Sequence, residues 1–174
     1  KKNNKSILAH VVEQAVKSEV GFVRVILGYN LEKRERELNR LPVYRYFCSN
    51  YSEGLAASIR CGLNQINNNV DGVIIALSDM PLVTSDDYRL LRDNYDPSNK
   101  KEICQSKSEK GLIGHPILFG KRFFNNLKSL SGDRGGKAII NNNKEFVTEV
   151  FTYGDGATVD IDTIDDWINW KELN

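Results

Sequence analysis

The segment at residues 71–83, DGVIIALSDMPLV, restricts the fold more than any other stretch of this chain. Val73, Ile74, Ile75, Ala76 and Leu77 follow one another without the polar alternation of a half-solvated strand. Such a run reads as a strand buried on both faces, the kind found inside a parallel sheet. Asp79 falls just past its C-terminal end, with Pro81 fixing the turn that follows. In open α/β sheets ligands bind beyond the carboxyl ends of the strands, where an acid can hold a metal ion against a phosphate. Asp and Pro are also ordinary turn residues, so Asp79 could equally cap the turn into a helix starting near Thr84 or Ser85.

The rest of the chain supplies the layers such a strand needs. Ser6 is positioned to N-cap a helix with Ile7, Leu8, Val11, Val12, Ala15 and Val16 on one face. Strands are expected at residues 22–27 and 43–47, separated by a charged helix over 31–38. A turn-rich loop at 49–54 leads to a helix from about Leu55, with Ile59, Leu63 and Ile66 in register. Beyond Pro81 the pattern predicts a helix to about Tyr95, a strand near 102–105, a polar loop over 106–114 and a short strand at 116–119. A helix outlined by Phe123, Phe124, Leu127 and Leu130 then stops at the glycine-dense stretch 131–136. A short helix at 137–140, strands at 146–151 and 158–161, and a helix after Thr163 complete the reading. This alternation selects a layered, three-layer Rossmann-like α/β fold with a mainly parallel sheet.

At 174 residues the chain suffices for one domain, residues 1–174. Its 24 Lys and Arg against 23 Asp and Glu leave a formal charge of +1, which argues against a nucleic-acid partner. Strand-length apolar runs and the lack of a signal-peptide pattern point away from a membrane. Cys48, Cys61 and Cys104 are odd in number and form no CxxC pair, which suits a reducing cytoplasm and argues against a zinc site or disulfide framework.

A second acidic cluster stands near the C-terminus. On an extended segment Asp160 and Asp162 face one side and Ile161 the other, so the pair could meet Asp79 across the sheet and hold Mg²⁺. Thr163 reads as the N-cap of the last helix, with Asp165 and Asp166 complementing its dipole. The stretch Gly132 to Gly136 could present amides to an anion, although a helix C-cap followed by a tight turn explains its composition better. His115, between Gly114 and Pro116, could be a general acid or base, but a lone histidine is more often a structural hydrogen-bond partner; the same holds for His10. Trp167 and Trp170 read as docking residues, and Asn50 and Ser58 could hydrogen-bond a base or ribose or simply act as caps.

Five stretches, NYSEGLAASI at 50–59, ALSDMPL at 76–82, GHPILF at 114–119, LSGDRGGK at 130–137 and DIDT at 160–163, resemble the MobA-like nucleotidyltransferases in sequence and in order. The resemblance is closest to the molybdenum cofactor cytidylyltransferase branch. It implies a fold that binds a nucleoside triphosphate with Mg²⁺ and transfers the nucleotidyl group to a molybdopterin-type acceptor, releasing pyrophosphate. By that resemblance Asp79 and Asp162 are catalytic metal ligands, joined by Asp160, and Asn50, Gly54 and Ser58 lie by the nucleotide together with Asp79. His115, Gly132, Asp133, Gly135 and Gly136 face the acceptor. CTP is favoured by the Asp-Met-Pro and Gly-His-Pro motifs, with GTP as the alternative, and a molybdoenzyme is the expected recipient. The family begins with a strand and a glycine-rich loop carrying an Arg and a Lys; neither is in this sequence, so the domain is expected to lack them. The competing expectations are a transferase for another phosphorylated acceptor and a non-catalytic nucleotide- or cofactor-binding module.

Overall fold

A computed structural model describes residues 5–67, 69–132 and 135–173. Helix α1 (Ile7–Lys17) begins where Ser6 accepts a hydrogen bond from Ala9 N at 3.2 Å, and it buries Leu8, Ala9, Val11 and Val12. It packs over strand β1 (Arg24–Leu27), where Val25 and Leu27 point to one face and meet Leu8, Val12 and Leu38. Leu38 ends α2 (Leu31–Leu38), which leads to β2 (Tyr44–Phe47), parallel to β1. On the opposite face lies α3 (Leu55–Leu63), whose Gly62 sits so close to Ile26 of β1 that a Cβ would lie 3.3 Å from its side chain.

The remaining strands form a second sheet in the order β3-β5-β4-β6. Strand β3 (Gly72–Ile75) pairs antiparallel with β5 (Ile113–Gly120), β5 antiparallel with β4 (Ile103–Lys107), and β4 parallel with β6 (Val147–Phe151). Three of its four strands therefore share a direction and β5 alone is reversed. Alternation along β4 and β5 separates two cores. Ile103, Ile117 and Phe119 face Ile59 and Leu63 of α3, Phe123 and Leu127, and Ile139 and Ile140. Of these, Leu127 lies in α5 (Phe124–Lys128) and the two isoleucines in α6 (Lys137–Asn142). Cys104 and Leu118 face Leu91 of α4 (Ser85–Asp93) on the other side, completing three layers. Burying a side chain such as Phe119 contributes about 1.5–3 kcal/mol, so this double-sided core carries the sheet. A last helix, α7 (Ile164–Leu173), starts at Thr163, whose N and Oγ1 donate to Asp166 Oδ2 at 3.0 and 2.6 Å.

Three expectations are corrected. The apolar run after Asp71 is not buried on both faces: each residue of β3 is half-buried, because the strand pairs with β5 on one edge only and stops at Ile75. Strand β5 is long, beginning at Ile113, so His115 lies within a strand rather than in a loop; the polar residues before it form a hairpin closed by Ser108 N donating to Leu112 O at 2.8 Å. No strand forms over 158–161. Those amides go elsewhere, Thr158 N to Asp155 O and Ile161 N to Asp79 O.

The two sheets are joined by helices instead of by a ladder. Helix α1 touches both α2 and α4, and α3 touches both β1 and the Phe119 core. Among the described residues, the edge of β1 away from β2 and the edge of β3 away from β5 have no strand partner.

Candidate nucleotide and metal site

Beyond Ile75 the chain turns so that Met80 is buried with Val83 and Tyr88, which orients the preceding Asp79 away from that apolar cluster. Pro81 is held from behind by His10, whose Nε2 donates to Pro81 O at 3.1 Å while its ring meets Trp170 edge-on at 5.3 Å. His10 and Trp170 thus have the structural and docking roles their positions suggest. Asp79 does not cap the next helix. That function belongs to Thr84 and Asp87, with Thr84 N and Oγ1 donating to Asp87 Oδ2 at 2.8 and 2.9 Å. Among the described residues, Asp79 Oδ1 is instead buried without a hydrogen-bond partner. An unsatisfied buried acceptor costs about 1–3 kcal/mol, and more when charged, so this oxygen has the environment of a group that binds something.

The segment after β6 encloses it. Ile161 N donates to Asp79 O at 2.8 Å, which brings the exposed acids Asp160 and Asp162 to either side of a residue tied to Asp79. A few residues earlier, Ala157 O accepts His115 N at 2.9 Å and lies where a side chain on Gly114 would go, 1.6 Å from an ideal Cβ. Only glycine permits that approach. Burial lowers the affinity of the His115 imidazole for a proton below its ordinary value, and the neighbouring Asp79 charge partly restores it. Among the described residues no three or more His, Cys, Asp or Glu side chains are arranged as a ready metal cage. The residues present are therefore one half-buried carboxylate and two exposed acids on the segment bonded to it, not the three-acid cluster expected across the sheet, and such a set suits a hard cation that keeps water and phosphate oxygens as further ligands.

A second group forms around the start of α3. Gly54 has φ 98°, a backbone conformation that favours glycine, and it follows the short turn Tyr51–Glu53. Asn50 stands at the N-cap position of that turn, but its side chain makes no capping bond; its Nδ2 donates to Glu53 Oε2 at 3.0 Å and its Oδ1 accepts from the Cys48 thiol at 3.3 Å. Ser58 lies half-buried one turn into α3. The glycine-rich stretch docks here too: Ala56 N donates to Gly132 O at 3.2 Å, Gly135 lies against Leu55, and Gly136 is so close to Phe119 that a Cβ would be 2.4 Å from its ring. Gly132 has φ 64° and acts as a turn residue. Asp133 lies outside the described residues. The structure thus places Gly132 and Gly135 against the first turn of α3, Gly136 against Phe119, and His115 beside Asp79. A cavity of about 220 Å³ lined by residues including Phe47, Asn50, Arg60 and Asn64 adjoins the second group.

The MobA-like NTP transferase domain model matches residues 2–147. The chain belongs to this family. Over 88 residues, 50% of the chain, this MobA-like domain is 28% identical to the bifunctional protein GlmU of Bradyrhizobium sp. (strain ORS 278), and the match spans 20% of that protein. Among solved structures it is similar to Rv0371c of Mycobacterium tuberculosis H37Rv in complex with manganese, with a TM-score of 0.83 and 22% identity, over 99% of this chain and 89% of that one. It is also similar to 4-diphosphocytidyl-2C-methyl-D-erythritol synthase of Anaerococcus prevotii, with a TM-score of 0.74 and 12% identity, over 99% and 87% of the two chains. At these identities the structural similarity establishes the Rossmann-like nucleotidyltransferase fold of the MobA-like domain.

Proposed function

We propose that this MobA-like domain is the core of a divalent-metal-dependent nucleotidyltransferase that moves CMP from CTP to a molybdopterin-type acceptor and releases pyrophosphate. The observation that carries the reading is the buried, unpartnered carboxylate oxygen of Asp79 at the C-terminal end of β3, tied through Ile161 to the segment bearing Asp160 and Asp162. Asp79 and Asp162, with Asp160 beside them, are the residues that would hold Mg²⁺ or Mn²⁺. A bound ion would neutralise charge on the phosphates as it builds in the transition state. Asn50, Gly54 and Ser58 flank the nucleotide, and His115 with the Gly132, Gly135 and Gly136 backbone flanks the acceptor, Asp133 completing that set. The acceptor phosphate oxygen attacks the α-phosphorus of the nucleotide, and the bond to the β-phosphate breaks. CTP is favoured over GTP by the Asp-Met-Pro and Gly-His-Pro motifs, and the free thiols Cys48, Cys61 and Cys104 suit a reducing cytoplasm.

The strand and glycine-rich loop characteristic of the resemblance have a place to go in this reading. A strand of the kind the resemblance implies would fit against the edges of β1 and β3 that have no strand partner among the described residues. Pyrophosphate release by the complete gene product with Mg²⁺ and CTP or GTP, with and without molybdenum-loaded molybdopterin, tests the function. The expected result is release that needs the acceptor, prefers CTP and falls by about a hundredfold or more in Asp79→Ala. Absence of turnover with either nucleotide by a folded protein carrying the loop overturns the reading.

A further inference from the structure

Arg60 lines the cavity beside the Asn50 group, and its guanidinium joins two segments of the site. It projects from α3, where Nη1 donates to Leu130 O at 2.5 Å and Nη2 to Glu53 Oε2 at 3.1 Å. The same Glu53 oxygen accepts Asn50 Nδ2 at 3.0 Å, and Asn50 Oδ1 accepts the thiol of buried Cys48. A continuous set of contacts therefore runs from the end of β2 through Asn50, Glu53 and Arg60 to the backbone that enters the glycine-rich stretch. The bond from Ala56 N to Gly132 O lies alongside it.

The chemistry of each member suits a positioning task. Asn50 carries a donor and an acceptor on one rotatable amide, and partners on both ends fix which way it faces. The Glu53 side chain is 57% exposed and would by itself be a mobile surface carboxylate; bonds from two directions hold it. Arg60 is 27% exposed, and its planar fork reaches two diverging acceptors at once, a geometry that a lysine ammonium cannot reproduce.

We infer that Arg60 is a positioning residue for nucleotidyl transfer, holding the Asn50 amide on the nucleotide side and the backbone of residues 130–132 on the acceptor side in one fixed relation. The inference rests on the nucleotide role proposed above for Asn50. It is tested on the complete protein by calorimetric titration with CTP and Mg²⁺ and by amide hydrogen exchange. Arg60→Met and Glu53→Ala are each expected to weaken CTP binding about tenfold, and neither adds to the loss already caused by Asn50→Ala, as members of one linked set behave. Glu53→Gln, whose amide oxygen can accept both donors, loses less than Glu53→Ala. Exchange at the Ala56 amide accelerates in Arg60→Met, which releases Leu130, and stays slow in Glu53→Ala, which does not. Losses that simply add in the double variants, or unchanged affinity in both single variants, overturn the positioning role. Wild-type protein that binds neither CTP nor GTP overturns the proposed function itself, and this role with it.

Discussion

At the scale of single residues, Asp79 shows how a fold can hold a functional group at a cost to itself. Among the described residues its Oδ1 is buried without a hydrogen-bond partner, so one end of a half-buried carboxylate is held out of water without compensation. Asp79→Asn removes that charge and is expected to melt no lower than the wild type in chelator. Mg²⁺ or Mn²⁺ should raise the wild-type melting temperature, since a ligand at a hundred times its Kd contributes about 2.7 kcal/mol, and should leave Asp79→Asn unmoved. Equal shifts in the two proteins would remove Asp79 from the metal site. Asp79 was legible in the sequence as a residue at a strand end, because a buried run followed by an acid and a proline has few placements. Its lack of a partner was not, since that depends on the tertiary surroundings, which include a segment as remote in sequence as Ile161, bonded to the Asp79 backbone. Arg60 and Glu53 escaped notice for a similar reason: they stand seven residues apart across the change from a turn to a helix, a spacing that fits no helical pair rule.

Whole elements were legible where one physical pattern ruled them. Helix α1 showed its cap and its stripe, and the strands around Val25 and Cys104 showed β-branched or apolar runs. The start of β5 was hidden because Ile113, Gly114 and His115 do not form an apolar run, and its pairing with β4 depends on a hairpin of polar residues. The segment at 158–161 looked like a strand by its side chains, but its backbone bonds go to a turn and to Asp79. Helix α4 offers a test of how much such long-range bonds matter. Asp86 and Asp87 are adjacent acids in its first turn, one exposed and paired with Arg89, the other 1% exposed. Asp87 Oδ2 serves Thr84 while Oδ1 accepts Tyr153 N at 3.2 Å, linking the helix to the segment after β6. Removing the acceptor of a buried hydrogen bond costs about 1–3 kcal/mol, or roughly 2–12 °C for a domain of this size. Thermal melts should show Asp87→Ala in that range and Asp86→Ala within about 0.5 kcal/mol of the wild type.

Across the whole molecule, the governing feature is the seam between the sheets. Helices α1 and α3 bridge it on both faces, while among the described residues β1 and β3 each keep one open edge. Open edges are a liability in an isolated chain. The hydrogen bond from Ile161 to Asp79 joins residues more than eighty positions apart, and it imposes an order on biosynthesis. A chain leaves the ribosome from its N-terminus, and domains fold as their parts emerge. Strand β3 and Asp79 are exposed to the cell well before the segment that encloses them has been translated. Through that interval the Asp79 carboxylate stays hydrated, and its enclosed environment forms only once the segment around Ile161 has emerged.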